Sequence, residues 1–265
     1  MIGIFDSGVG GLSVWREIVR LLPDVPLLYL ADQAHCPYGE RTLDEVRAYA
    51  HGITAWLIER GARMIVVACN SASAAALYSL RERFAVPIVG MEPAIKPAAE
   101  RTRCGRVGVL ATPTTFQGEP YMRLLARYAK GIQVVAQPCP GWVEWVESGR
   151  LHEEGTMEIV RQALLPMQAV GVDEIVLGCT HYPFLRPWIE RLMGPSVEVI
   201  DPALPVARQV QRVWQSLDVT TAPPDIPSHQ FTTTGDVDRF GAQIASLVGW
   251  KGTVAQARWH GDELV

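Results

Sequence analysis

Lysine is nearly missing from this chain: 265 residues hold three, Lys96, Lys130 and Lys251. Pyridoxal-phosphate chemistry needs a lysine for its Schiff base. Only Lys96 comes near an expected strand end, and it lies between Pro93 and Pro97. Positive charge is also short. The net charge of −4 and pI of about 5.9 argue against a nucleic-acid or anionic-membrane surface. No apolar run approaches the ~20 residues that span a bilayer. The start, M-I-G-I-F-D-S, lacks the basic and long apolar regions of a signal peptide, so a cytoplasmic location is expected. Five cysteines, an odd number without a C-x-x-C pair, fit a reducing compartment better than a disulfide framework. The loop D-S-G-V-G-G lacks a nucleotide fingerprint. Ser13 stands where the third glycine after Gly8 and Gly10 belongs, and no Gly-Lys-Ser/Thr follows.

What is present has the composition of a globular protein, with 48% hydrophobic and 20% charged residues. The length suits one large α/β domain or two smaller ones. The chain centres on Met64–Ser71, M-I-V-V-A-C-N-S. Its unbroken apolar run predicts a strand buried on both faces of a parallel sheet. The small residues Ala72–Leu80 predict a helix with Asn70 or Ser71 at its start. Ligands in such sheets bind beyond the carboxyl ends of the strands, which is where Cys69 falls. Glu174–His181, E-I-V-L-G-C-T-H, repeats the pattern and ends on Cys179.

Around these two stretches runs a βα rhythm. Strands are expected at 2–5, 25–30, 86–90, 106–112, 132–136, 197–200 and 230–234. Helices are expected at 13–22, from Thr42 onward, at 119–128, 156–170 and 237–248. Val46, Tyr49, Ala50, Ile53, Trp56 and Leu57 form a core-facing stripe on the Thr42 helix. Pro93 and Pro97 mark a crossover, and the Pro-rich segment 220–229 reads as a linker. Each cysteine strand sits in its own run of βα units. The expected fold is two similar α/β domains with largely parallel sheets, facing each other across a central cleft. One comprises residues 1–92 plus 206–265 and the other residues 93–205.

Four segments, F-D-S-G-V-G-G-L-S-V, C-P-Y-G, A-C-N-S-A-S and L-G-C-T-H-Y-P, resemble in sequence and order the signatures of the glutamate racemase family, within the cofactor-independent aspartate/glutamate racemases. The resemblance covers nearly the whole chain. It implies L- and D-glutamate as substrates, no cofactor, no metal, and a bacterial role in supplying cell-wall synthesis. It assigns Cys69 and Cys179 to the two faces of the substrate Cα. Asp6 would assist Cys69, while His181 and Glu147 would assist Cys179. Substrate binding would fall to Asp6, Ser7, Tyr38, Gly39, Asn70, Ser71, Thr180 and His181, with Thr112 and Thr115 as further candidates.

Two departures stand out. Ser71 replaces a threonine common in relatives, and the tryptophan-rich segment before Glu147 leaves Glu144 as its competitor. Histidine at 181, where aspartate-racemising relatives tend to carry an acid, points to glutamate. No nucleic-acid or membrane partner is expected, and a homodimer is left open. A thiol–metal centre at Cys69, Cys179 and His181, or a non-catalytic binding protein with buried cysteines, are the competing readings. His35-Cys36 is set aside as a metal pair because adjacent side chains rarely share one tetrahedral ion. Cys36, Cys104 and Cys139 are expected to have no chemical role.

Overall fold

Ile2, Ile4 and Phe5 have no solvent exposure, and neither have Met64, Ile65, Val66 and Val67. Each such side chain contributes about 1.5–3 kcal/mol of burial, which explains why these short runs form the central strands. The structure, a computed structural model, describes residues 1–217 and 229–265. In chain order it contains β1 (Ile2–Asp6), α1 (Leu12–Leu21), β2 (Leu27–Ala31), α2 (Leu43–Glu59), β3 (Met64–Val67), α3 (Asn70–Arg83) and β4 (Ile88–Gly90). Next come α4 (Ile95–Arg101), β5 (Arg106–Ala111), α5 (Pro113–Gln117), α6 (Glu119–Tyr128), β6 (Gln133–Pro138), α7 (Trp142–Glu147), α8 (Glu154–Val170), β7 (Glu174–Gly178), α9 (Arg186–Met193) and β8 (Glu198–Ile200). The chain closes with α10 (Ala203–Ser216), β9 (His229–Thr233), α11 (Val237–Val248), β10 (Val254–Gln256) and a small hairpin, β11 (Trp259–His260) with β12 (Glu263–Leu264).

Two all-parallel sheets result, ordered β10-β9-β2-β1-β3-β4 and β6-β5-β7-β8. The fold is therefore α/β with two parallel-sheet domains, as expected. In the first sheet the chain steps from β1 to β2 on one side, then places β3 on the other. In the second, β6 and β7 flank β5 in the same way. Each sheet thus has a switch point where crossovers diverge and a crevice opens. Asp6 ends β1 and Cys69 follows β3 at the first switch point, while Thr112 and Cys179 follow β5 and β7 at the second. Helix α10 returns to α1, where Gln211 Nε2 donates to Leu21 O at 3.0 Å.

Several local expectations hold. Thr42 caps α2 in a full capping box with Glu45. On α2, Val46, Ala50, Ile53, Trp56 and Leu57 are buried and Tyr49 is half-buried. Other details differ. The P-T-T-F segment is itself a short helix, because Thr112 accepts a hydrogen bond from Thr115 N and Pro113 takes the first helical position. Pro97 lies in the first turn of α4, where a missing N–H is harmless, so the crossover carries a helix. Strand β10 and the terminal hairpin follow the helix expected to close the chain; they are short and partly exposed, so no apolar alternation announces them. The expected linker falls mostly on 218–228, outside the described residues. Among the described residues, no helix is long and apolar enough to cross a membrane.

Candidate active site

Cys69 ends the β3 segment and caps the N-terminus of α3, with 5% exposure. Burial pushes its thiol well up, and the charge of Asp6 pushes the same way against the nearby Ala72 N–H. Cys69 is therefore a proton holder at rest. Asp6, fully buried at the end of β1, accepts from Gly8 N at 2.8 Å and from Thr180 Oγ1 at 2.9 Å. Burial raises its carboxyl to about 6, although His181 and these two donors pull it down. The Thr180 bond joins the two domains, since Thr180 follows β7.

Cys179 lies just past β7 with 8% exposure. Its sulfur is 3.8 Å from His181 Nδ1, while His181 Nε2 meets Glu147 Oε1 at 2.7 Å. Glu147 also accepts from Val9 N at 2.7 Å and Gln33 Nε2 at 2.9 Å. Burial alone would raise this carboxyl, but the bond from His181 and its charge hold it below the usual range. For His181, burial would lower the basicity, and hydrogen bonds to Cys179, Cys36 and Glu147 outweigh it. Both shifts favour an imidazolium facing a carboxylate, with the other ring nitrogen turned to the Cys179 sulfur. Charge on Cys179 raises the Cys69 thiol further.

The remaining candidates form a polar wall. Ser71 Oγ meets Thr112 Oγ1 at 2.9 Å, and Thr112 Oγ1 meets Thr115 Oγ1 at 3.0 Å. Gly39 packs on Thr112 so closely that a Cβ there would come within 2.6 Å of it. Asn70 is 3% exposed, yet neither atom of its amide has a partner. Buried polar atoms of this kind are rare without a ligand or water to satisfy them. Ser7 is buried beside Asp6 in sequence. The Tyr38 hydroxyl is committed to Asp32 Oδ2 at 2.6 Å, so the ring and backbone of this loop remain for contact, not a free hydroxyl. Glu144 is exposed, and of the two competitors Glu147 is the one brought to His181.

The glycine loop has a packing role that motif matching missed. A Cβ on Gly10 would run into His181 Nδ1 and lie 2.6 Å from Thr180 Oγ1, and one on Gly8 would strike Glu147. The first domain can approach this acid/base cluster only because these positions lack side chains. Sequence reasoning also missed Gln33, Asp32, Arg239 and Gln243. Arg239 Nη2 and Gln243 Nε2 of α11 hold the Glu147 carbonyl at 2.9 and 2.6 Å. Asp32, an acid directly after a strand, carried a readable signal; the other three carried none. Cys36, expected to be without a role, instead stands against His181 and Glu147. Cys104 is exposed and Cys139 is buried.

The model of the Asp/Glu/hydantoin racemase family matches residues 2–210. The chain belongs to that family. Its relatives are isomerases, and the same reaction class applies here. The chain is 50% identical over 251 residues to the glutamate racemase of Roseiflexus sp. (strain RS-1), covering 93% of this chain and 91% of that protein. Among solved structures, glutamate racemase isoform RacE1 from Bacillus anthracis superposes with a TM-score of 0.85 at 32% identity, covering 99% of this chain and 98% of that one. The Escherichia coli glutamate racemase, in complex with L-glutamate and the activator UDP-MurNAc-ala, gives a TM-score of 0.85 at 31% identity, covering 98% and 99%.

Proposed function

We propose that the protein interconverts L- and D-glutamate without a cofactor, using Cys69 and Cys179 as the two acid/base groups. The observation that carries this reading is the pair of buried thiols at the switch points of two sheets, Cys179 beside His181 and Cys69 within the field of Asp6. Racemisation requires a proton to leave one face of Cα and another to arrive on the opposite face, so two groups in opposite protonation states must flank the carbon. Cys69, buried and next to Asp6, holds its proton. Cys179 faces an imidazolium that supports negative charge on its sulfur.

From L-glutamate, Cys179 takes the α-proton and Cys69 delivers one to the other face, giving D-glutamate. The return needs Cys69 without its proton, and the Asp6 carboxylate, whose charge reaches the thiol, is the acceptor. The unpartnered Asn70 amide, with Ser7, Ser71, Thr112, Thr115 and Thr180 and the Tyr38–Gly39 loop, would bind the substrate's carboxylates and ammonium. We take 1–92 with 206–265 as the Cys69 domain and 93–205 as the Cys179 domain. The substrate is a small molecule; no nucleic-acid or membrane partner enters this reading. Five free cysteines support a cytoplasmic setting, where D-glutamate would feed cell-wall synthesis.

The direct test incubates chelator-treated protein, without pyridoxal phosphate, with either enantiomer and follows optical rotation. Decay to zero rotation from both sides, with aspartate turned over much more slowly, supports the reading. Dependence on added metal or an aldimine absorbance band would overturn it.

A further inference from the structure

Cys36 is the thiol that the racemisation chemistry leaves unused. It opens the C-P-Y-G loop after β2, yet its sulfur gathers with a Glu147 oxygen and a His181 nitrogen, all three donor atoms within 4.8 Å of one another. The donors come from three separate segments: the loop after β2, the end of α7 and the turn after β7. Thiolate, imidazole and carboxylate together are the donor set that zinc prefers. Ligand distances of about 2.0–2.3 Å place the donors of a tetrahedral site about 3.5 Å apart. The spread here, from 2.7 Å between Glu147 and His181 up to the 4.8 Å limit, brackets that spacing.

Room and access are built in. A Cβ on Gly8 would strike Glu147 Oε1 and lie 3.2 Å from Cys36 Sγ, so the glycine keeps the space between these donors clear. A cavity of about 250 Å³, lined by Gln33, Cys36, Pro37, Glu147, Asp236 and Arg239 among others, adjoins the cluster. It supplies an entry path and a place for a water as fourth ligand. The Arg239 guanidinium on its wall is engaged with the Glu147 carbonyl at 2.9 Å.

We propose that Cys36, Glu147 and His181 form an inhibitory site for a soft divalent cation of the zinc class. The ion inserts between the Glu147 oxygen and His181 and forms metal–sulfur, metal–nitrogen and metal–oxygen bonds. The Cys36 thiol and the His181 imidazolium each release a proton, and no electrons change hands. Once bound, the ion removes the imidazolium that faces Cys179, so metal binding and turnover exclude each other. The inhibitory consequence rests on the racemase reading above; the binding itself does not.

The test uses the full chain, stripped with chelator and titrated with Zn²⁺ alone and with Co²⁺ alone. One ion per chain is expected, with a sulfur-to-cobalt charge-transfer band. Cys36→Ser and Cys36→Ala should lose the band and bind Zn²⁺ at least about tenfold more weakly, while Cys69→Ser keeps both. Zinc should suppress glutamate racemisation by the unaltered protein, and Cys36→Ser should remain active at the same zinc concentration. Retention of the band in Cys36→Ser, its loss in Cys69→Ser, or the absence of binding would overturn the proposal. If the stripped protein shows no racemisation at all, the functional reading fails while the cobalt band still decides the site.

Discussion

Replacing Glu147 with glutamine tests the electrostatic centre of the site. The carboxylate meets His181 Nε2 at 2.7 Å with side-chain exposures of 9% and 2%. Removing one member of a buried ion pair costs about 3–5 kcal/mol when the other charge stays uncompensated. His181 has an escape: it releases its proton, and each unit by which its basicity was raised is about 1.4 kcal/mol. Glutamine keeps one acceptor oxygen, which serves Val9 N or Gln33 but not both, because they bond different carboxylate oxygens. The expected loss near neutrality is therefore at the low end of that range, about 3 kcal/mol. The pH dependence has a definite sign. His181 is raised, so its contribution is complete below the usual imidazole range and is lost as pH rises through its higher folded value. Glu147 is lowered, so its contribution is lost only as pH falls through its depressed value. Urea unfolding of both proteins should show the largest gap in mildly acidic to neutral buffer and a shrinking gap in alkali. Racemisation should fall by about 10²–10⁴. Because the two enantiomers are equal in free energy, kcat/KM must fall equally in both directions. A stability gap that grows with pH, or unchanged kcat, would refute the reasoning.

Three further outcomes follow from particular contacts. Asp6, raised to about 6 by burial, should impose an acidic limb on kcat/KM for both enantiomers near that pH, and Asp6→Asn should abolish the limb along with most of the activity. Gly10→Ala places a methyl against His181 Nδ1 and Thr180, so it should cost about 1–3 kcal/mol in thermal or urea unfolding and lower kcat. Thr42→Ala removes the capping box of α2, away from the site, and should cost about 1 kcal/mol while leaving kcat unchanged.

The fold was legible where burial is unconditional. The apolar runs ending in Cys69 and Cys179 have no polar phase to be solvated, so they had to be central parallel strands, and their ends had to face a crevice. Short elements were less legible. Strand β10 is only partly buried, and α5 depends on a cap between Thr112 and Thr115 within a segment that also reads as loop. For the acid/base partners, local sequence was insufficient. Glu144 and Glu147 are three residues apart on one short helix, and only the approach of β7 and its turn selects Glu147. The sequence pattern sets His35-Cys36 aside as a metal pair because adjacent side chains rarely share one ion. In the structure His35 stacks on Tyr49 at 3.9 Å and bonds Asp32. The histidine beside Cys36 is His181, 145 positions away in the chain. Gln33, Arg239 and Gln243 reach Glu147 by tertiary contact alone, which no local pattern encodes.

The most direct test of the two-thiol account is a half-reaction measured on single-cysteine variants. Both Cys69→Ser and Cys179→Ser should lose racemisation, since each lacks one face of proton transfer. A glutamate analogue that expels a leaving group after α-proton abstraction needs only one base. Cys69→Ser should then consume the L-form through Cys179, and Cys179→Ser the D-form through Cys69. Opposite handedness in the two variants is the predicted result. Full racemisation by either variant, or the same enantiomer preference in both, would contradict the assignment of one thiol to each face.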